Sequence, residues 1–265
     1  VLLHRPRASA TLAMSNVSAA IIRARLTQEP NSMKSSAGTS AFSMLLTVAS
    51  AMGGGLAPWD AHAHGAPASP IARQYLCFKE RGYDWPADGS KIPSADCRQA
   101  YREVMDAWPF QQWNEVSANP QDKGDTLEKV KAAVPDGLLC AGGDVRKRGL
   151  DQASQAWRAQ PVTTDAQGQL EVVWDLTQAH NPSWMRVFLS KPSYDGSRAL
   201  RWDDLEEIYN EAAPPPVPGT PLPTYTFNVP IPADRAGRAV LYHYWQRDDS
   251  GNEGFFSCTD IDIQR

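Results

Sequence analysis

The chain has 265 residues, with 26 basic and 30 acidic side chains, 42% hydrophobic residues and four cysteines. This composition excludes a collagen, a disordered tail and a membrane protein with several spans. The 21 prolines and 18 glycines leave little room for long helices after residue 120, and they favour one loop-rich globular domain.

The first 63 residues differ from the remainder because they hold only five basic and two acidic side chains and little hydrophobic alternation. A basic stretch begins at Met33, and the apolar segment 41–57 that follows is too short and too rich in glycine to span a bilayer. An Ala-x-Ala sequence ends at Ala63, as in secretory signal peptides. We predict that residues 1–63 are a signal peptide with an extension from a mis-assigned upstream start, Met33 being the working initiator. The alternative is an ordered N-terminal extension.

Cleavage after Ala63 would leave residues 64–265, with His64 at the amino terminus. That segment has 21 basic and 28 acidic side chains, a formal charge of −7, so the phosphates of a nucleic acid are poor partners for it. Removal of the apolar leader leaves no predicted membrane segment. We expect a secreted, extracellular, monomeric protein.

Four cysteines in an oxidising compartment are most simply two disulfides, which leaves no thiol nucleophile. Three connectivities are open to four cysteines. Pairing between neighbours in the sequence favours Cys77 with Cys97, which leaves Cys140 with Cys258. Loop-closure entropy gives the short bridge about 3 kcal/mol and the long one about 5 kcal/mol of stabilisation.

The remaining sequence predicts a short helical insertion followed by strands. Residues 96–113 space their apolar side chains near a helical period, with Asp96 as the cap. Period-two alternation predicts antiparallel strands over 170–176, 185–189, 240–245 and 255–263. A further helical turn is predicted at 202–209, and the proline-rich segment 212–223 is predicted to be an extended connection. The pattern indicates an all-β antiparallel sandwich.

His64 would acquire a chemical function if it became the mature amino terminus. A free N-terminal histidine offers its α-amine and its ring Nδ1 to one metal ion in a single chelate. The amine must lose its proton, which is inexpensive because its ordinary pKa lies only slightly above neutrality. Nitrogen ligands with one further imidazole suit Cu(II), which leads the divalent affinity order. The alternative is a frayed terminus whose histidine has no function.

Residues 64–265 contain seven short segments, each of which is a weak signal by itself. Together and in this order they form a specific pattern. They are HG at 64–65, PIARQYLC at 70–77, PDGLLC at 135–140, His180 followed by FLSKP at 188–192, WDDL at 202–205, PADRAG at 232–237 and WQRDDSGNEGFFSC at 245–258. With both cysteine pairs in place, the chain resembles the bacterial-type lytic polysaccharide monooxygenases (auxiliary activity family 10), once called chitin-binding proteins. The resemblance implies a fibronectin-III- or immunoglobulin-like antiparallel β-sandwich with a short helical insertion between its early strands.

The resemblance implies a histidine brace that holds one copper ion per chain by the amine and Nδ1 of His64 and the imidazole of His180. It also implies that Phe255 blocks one axial direction and that Glu253 reaches the open face to hydrogen-bond the oxidant. On residue type alone, a strand phenylalanine is usually core and a loop glutamate is usually solvated. Gln178 departs from the alanine common in the family two residues before the second histidine, and it could crowd or hydrogen-bond the axial face.

A crystalline polymer cannot enter a pocket, so its contacts must be spread over a flat surface. Trp113 and Asn114 align with the aromatic and polar residues that family members display around the copper, although Trp113 could equally be the buried end of the insertion helix. Glu115 is a second acidic candidate near the site. His243 alternates onto the apolar face of its strand, and we expect a packed or edge histidine.

The resemblance thus implies a secreted copper monooxygenase that oxidatively cleaves β-1,4-linked crystalline chitin or cellulose. It would use O2 or H2O2 and electrons from a small-molecule or protein donor. The alternative from another class is a polysaccharide-binding or adhesin module with the same fold and an idle metal. A glycoside hydrolase is disfavoured because none of the many acidic residues has the distinguishing context of a catalytic carboxylate pair.

Overall fold

The computed structural model describes residues 64–81, 87–120 and 126–265, so the predicted signal peptide in residues 1–63 lies outside the described residues. The described residues all belong to one compact unit. None of the helices in these three ranges combines the length and hydropathy that a bilayer-spanning helix needs.

Within the described residues the strands form two sheets. The strands are β1 (His64–Ser69), β2 (Ser117–Ala118), β3 (Gln160–Val162), β4 (Gln169–Gln178), β5 (Ser183–Ser190), β6 (Leu205–Ala212), β7 (Thr224–Pro230), β8 (Gly237–Arg247) and β9 (Gly254–Ile263). The smaller sheet has the order β1-β4-β7, and the larger has the order β2-β9-β8-β5-β6. All pairs are antiparallel except β3, which pairs with β9 in parallel.

The predicted strands all lie within β4, β5, β8 and β9, and the antiparallel β-sandwich is confirmed. Alternate side chains of these strands point inward because successive residues of a strand face opposite sides of the sheet. The inward side chains form an apolar cluster between the two sheets, which includes Val172, Trp174, Met185, Leu241 and Trp245. Burial of each such side chain stabilises the fold by about 1.5–3 kcal/mol.

The helical insertion between the early strands is also confirmed. It contains α1 (Arg73–Lys79), α2 (Ala95–Val104), α3 (Trp108–Gln111), α4 (Leu127–Ala133) and 3₁₀ turns at Val145–Asp151 and Ser154–Ala156, and a third 3₁₀ turn at Trp202–Asp204 precedes β6. The helical spacing over 96–113 corresponds to two short helices, and the N-cap of α2 is Ser94 instead of the predicted Asp96. Met105 has a φ of 52° and ends α2, and α3 restarts with Pro109 in its first turn.

The helical turn predicted over 202–209 is wrong in extent, since it ends at Asp204 and gives way to β6. Residues of β6 complete the edge of the larger sheet by pairing with β5, so hydrogen bonds to a distant segment override the local pattern. The segment 212–223 is an extended connection, as predicted, with one isolated bridge between Val217 and Thr224.

Both predicted disulfides are confirmed. Cys77–Cys97 joins α1 to α2, and Cys140–Cys258 ties the segment before the first 3₁₀ turn to β9. All four sulfurs lie in a second apolar cluster, between the insertion and the outer face of the larger sheet. A buried ion pair between Arg73 Nε and Asp260 Oδ2, 2.6 Å apart, adds a further link from α1 to β9.

Strand registers bring several chain segments to one end of the sandwich. His64, the first residue of β1, pairs with Gln178 at the end of β4. Ser183, the first residue of β5, pairs with Arg247 at the end of β8. Because β9 begins opposite the end of β8, the loops between β4 and β5 and between β8 and β9 meet at this end.

Candidate metal centre

The start of β1 is held closely against its neighbours. The Gly65 amide donates to the Asn114 carbonyl over 3.1 Å, which places the segment before β2 against the start of β1. A Cβ atom at Gly65 would lie 2.5 Å from the Asp175 carbonyl oxygen. Glycine is therefore required after His64 because β4 approaches too closely for a side chain.

The His64 ring lies between an aromatic and an acidic side chain. Phe255 packs edge-on against it, with ring centroids 5.9 Å apart, and is itself only 1% exposed. Glu115 Oε1 lies 3.2 Å from His64 Nε2. A carboxylate at Nε2 favours the tautomer with its hydrogen on that nitrogen, which leaves the lone pair on Nδ1. This tautomer is the one that the predicted metal contact through Nδ1 requires.

His180 lies in the loop between β4 and β5, and its main chain is fixed by Tyr225 of β7. The Tyr225 hydroxyl donates to the His180 carbonyl over 2.8 Å and accepts from the His180 amide over 3.1 Å. The Tyr225 side chain is buried in the core. Sequence analysis missed Tyr225, and the only signal for it was the alternation of 224–230, which makes it an inward residue of a strand.

The ring of His180 carries a buried nitrogen at Nε2. Asp249 Oδ2 lies 3.0 Å from this atom, within ion-pair distance, but this carboxylate is already paired with Arg247 Nη2 at 2.5 Å, and Nε2 has no hydrogen-bond partner among the described residues. Burial and the nearby Arg247 guanidinium lower the pKa of His180, although Asp249 and Glu253 act in the opposite direction. Neutral imidazole is the form that binds metals. A buried, neutral ring nitrogen without a hydrogen bond fits a metal ligand.

Arg247 connects two acidic side chains at this end of the molecule. Its Nη2 lies 2.5 Å from Asp249 Oδ2 and its Nη1 lies 3.3 Å from Glu253 Oε2. Burial opposes ionisation of Asp249, but the ion pair with Arg247 prevails and lowers its pKa. Glu253 also lines a surface cleft together with His64 and Glu115. Arg247 and Asp249, within the 245–258 motif, were not identified from the sequence.

Trp113 is buried, which was one of the two alternatives left open by the sequence. Its side chain is 6% exposed and its ring stacks on Tyr75 with centroids 3.8 Å apart, so it is not an aromatic platform on the surface. Asn114 is half-buried and its side chain donates to Thr177 Oγ1 over 2.9 Å, which holds the segment before β2 to β4. A contact of Asn114 or Glu115 with substrate stays a prediction.

Gln178 lies opposite His64 in the register of β1 and β4, and its side chain is exposed. Its side-chain amide donates to the neighbouring Ala179 carbonyl over 3.5 Å. It stands next to the candidate site, and its effect on an axial position stays a prediction.

His243 is a packed histidine, as predicted. It is fully buried in the middle of β8 and meets the edge of Trp174 with ring centroids 6.1 Å apart. Burial lowers the pKa of His243 to about 3, so the ring is neutral. Its register partners are Val187 and Ser257, well inside the sheet and away from the strand ends that carry His64 and His180.

A second group of side chains has metal-like spacing within the described residues but fails on chemistry. Glu80, Asp96 and Cys97 bring ligand atoms within 4.8 Å of one another. The sulfur of Cys97 is bonded to Cys77, and Arg158 pairs with both carboxylates. This group is a structural ion-pair network.

Comparison with known proteins agrees with this fold. A family model described as lytic polysaccharide mono-oxygenase, cellulose-degrading, matches residues 64–261. The chain is 30% identical over 211 residues to the chitin-binding protein CbpD of Pseudomonas aeruginosa, a match that covers 77% of this chain and 48% of CbpD. It is 31% identical over 207 residues to a lytic cellulose monooxygenase of Streptomyces ambofaciens, with 76% and 53% of the two chains covered.

The solved structure of the cellulose active monooxygenase CelS2 in complex with copper superposes with a TM-score of 0.62 at 30% identity, and the match covers 75% of this chain and 98% of that chain. The chain belongs to the lytic polysaccharide monooxygenase family. It spans about half the length of the CbpD and Streptomyces relatives.

Proposed function

We propose that the protein is a secreted, copper-dependent monooxygenase that oxidatively cleaves β-1,4-linked crystalline chitin or cellulose. The observation that carries this proposal is the buried Nε2 of His180, which has no hydrogen-bond partner among the described residues, at the end of the sandwich where His64 begins β1. His64 begins β1, and His180 follows the end of β4, the strand that pairs with β1 in the smaller sheet. Their surroundings favour a neutral ring at His180 and a lone pair on Nδ1 at His64.

Three nitrogens would hold the metal once residues 1–63 are removed. They are the new α-amine and Nδ1 of His64, and Nε2 of His180. Copper, when bound there, would supply the one-electron chemistry by which O2 or H2O2 hydroxylates a C–H bond beside a glycosidic link. With H2O2 one oxygen enters the C–H bond and the other leaves as water, whereas with O2 the external donor also provides two electrons and two protons. The hydroxylated carbon then expels the glycosidic oxygen, and the polymer chain breaks.

The surrounding residues would orient and shield this centre. Phe255 presents a carbon ring that cannot ligate a metal, and it packs edge-on against the His64 ring. Glu115 orients the His64 ring through Nε2. Glu253, held by Arg247 at the rim of the cleft, would hydrogen-bond the oxidant.

Polymer contact requires exposed groups near the cleft, and with Trp113 buried we propose Trp184 as the aromatic contact. Trp184 is 44% exposed and is the second residue of β5, which begins opposite Arg247. Its indole nitrogen donates to the Asn210 side chain, so the ring has a fixed orientation. An aromatic ring held in this way can stack on a sugar without a large cost in side-chain entropy.

A non-catalytic polysaccharide-binding module is the second candidate, since one relative is named a chitin-binding protein. A binding module needs neither a free His64 amine nor bound copper. The two functions therefore differ in what an altered amino terminus would do.

The test compares protein processed to begin at His64 with protein that retains Ala63. The added residue converts the amine into an amide and removes one ligand, so we expect Cu(II) affinity to fall by more than about 100-fold, beyond the effect of losing an outer partner of a ligand. Isothermal titration gives the affinity, and mass spectrometry of products from chitin and cellulose with ascorbate gives the activity. Equal copper affinity of the two forms would reject the brace. Adsorption without oxidised products from the copper-loaded processed form would favour the binding module.

A further inference from the structure

Lys147 is a buried lysine beside the candidate site. It lies in the 3₁₀ turn Val145–Asp151 and is 3% exposed. Its Nζ donates to the Glu115 carbonyl over 2.6 Å and lies 4.5 Å from the centroid of the Trp108 ring. Burial lowers the pKa of Lys147 to about 8, against the attraction of neighbouring acids. The ammonium group is therefore kept in the interior at a cost in hydration.

Nearby carboxylates offset part of the hydration cost of the buried Lys147 ammonium group. Asp144, Glu115 and Glu253 favour the ammonium form, whereas Arg146 disfavours it. Glu115 and Glu253 both line the cleft with His64. A lysine that only covered Trp108 could do so with its aliphatic stem and leave its charge in water. The direct bond to the Glu115 carbonyl indicates a more specific role.

Main-chain hydrogen bonds hold the chain on both sides of Glu115, one within its own segment and one to β9. The Glu115 amide donates to the Gln112 carbonyl over 3.0 Å, and the Val116 carbonyl accepts from the Phe256 amide over 2.8 Å. These bonds fix the ends of the turn, whereas Lys147 fixes the Glu115 carbonyl itself. The Glu115 carboxylate then meets His64 Nε2 at 3.2 Å. A rotation of the Glu115 peptide would move that carboxylate away from the ring.

We propose that Lys147 is a positioning residue for the metal centre. Lys147 anchors the Glu115 main chain, so that the Glu115 carboxylate selects the His64 tautomer with hydrogen on Nε2. The 3₁₀ turn and the His64 ring are thereby linked through one glutamate. This link exists in the folded chain before any metal binds. The inference rests on the proposed function only in the experiments that measure copper binding.

The test uses Lys147→Met, which keeps the stem over Trp108 and removes the donor. In metal-free protein beginning at His64, nitrogen NMR should show the His64 ring shifting from one tautomer to a mixture, with the His243 signals unchanged. Copper affinity should fall by about tenfold, as for other losses behind a metal-binding histidine. Lys131→Met is the matched control, because Lys131 also lies over a tryptophan, Trp202, at 5.9 Å in a different part of the insertion.

A double-mutant cycle with Glu115→Ala separates positioning from general loosening. If Lys147 acts through Glu115, Lys147→Met should have no further effect on the His64 tautomer once Glu115 is truncated. If the effect of Lys147→Met is merely structural, it should add to the effect of Glu115→Ala in the double variant. Unchanged His64 signals in folded Lys147→Met would overturn the proposal. If that variant does not fold, NMR of the wild-type protein provides the test. The proposal then requires that the Lys147 ammonium exchange its protons slowly and contact the Glu115 peptide, and fast exchange without that contact would overturn it. A chain that bound no copper but passed the tautomer test would reject the proposed function and keep this inference.

Discussion

His180 and His243 carry the same local signature in two different regions of the molecule. Each has a buried ring nitrogen without a hydrogen-bond partner among the described residues, and burial lowers the pKa of each ring. His180 lies at the end of the sandwich, with Asp249 3.0 Å from Nε2 and its main chain held by Tyr225. His243 lies mid-strand between the sheets, against the edge of Trp174.

The comparison shows that a histidine nitrogen lacking a hydrogen bond does not by itself indicate a ligand. Burial is the sole cause of the pKa shift at His243, whereas at His180 the charges of Arg247, Asp249 and Glu253 also contribute. A metal ion needs several donors that converge from different elements and a path from solvent. The sandwich end supplies these because strand termini and loops meet there, and the apolar layer between the sheets does not.

The largest expected difference between the two regions is in copper binding. His180→Ala removes a direct ligand, so we expect copper affinity to fall by more than about 100-fold, while the melting temperature of the copper-free protein stays nearly unchanged because the loop lies at the surface. His243→Leu should bind copper like the wild type. Isothermal titration and calorimetry of the processed protein measure both quantities. A large loss of copper-free stability in His180→Ala would make this histidine structural.

The sequence predicted those parts of the site that are encoded locally. His64 is marked by the Ala-x-Ala sequence before it and the glycine after it, and Glu253 and Phe255 lie within one continuous motif. The Cys77–Cys97 disulfide followed from proximity in the sequence, and Cys140–Cys258 was the pair that remained. The central strands were predictable because their alternation reports which face is buried.

The remainder depends on contacts between distant segments. Tyr225 reaches His180 across 45 residues, and Lys147 reaches Glu115 across 32. Trp113 is buried because Tyr75 of α1 stacks on it, whereas Trp184 is exposed near the edge of a sheet; residue type alone does not separate them. The β6 edge strand was mistaken for a helical turn for the same reason, since its pairing with β5 is a tertiary interaction.

A second effect, smaller per pH unit than the loss of copper binding, should appear in the acid stability of the core. His243 has a pKa of about 3 in the folded protein, against an ordinary value of 6.5. Above pH 6.5 both states are neutral and the group contributes nothing; below it the unfolded chain takes up a proton that the folded core refuses. The free energy of unfolding should therefore fall by about 1.4 kcal/mol per pH unit between pH 6.5 and about pH 3 through this group. His243→Leu should remove that component, as measured by urea unfolding at several pH values. Parallel pH profiles of variant and wild type would contradict the assignment.

The smallest effect should come from the tyrosine that fixes the His180 loop. Tyr225→Phe keeps the buried ring and removes the hydroxyl that bonds both main-chain groups of His180, so we expect a loss of about 1–2 kcal/mol in the free energy of unfolding. Because the imidazole is then less well placed, copper affinity should fall severalfold. Tyr101→Phe is the matched control, since it also removes a tyrosine hydroxyl bonded to a carbonyl, that of Ala87, but within the insertion. We expect it to cost similar stability and to leave copper affinity unchanged. If both variants bound copper equally, the loop would hold His180 without Tyr225, and the contrast with His243 would rest on the neighbouring charges alone.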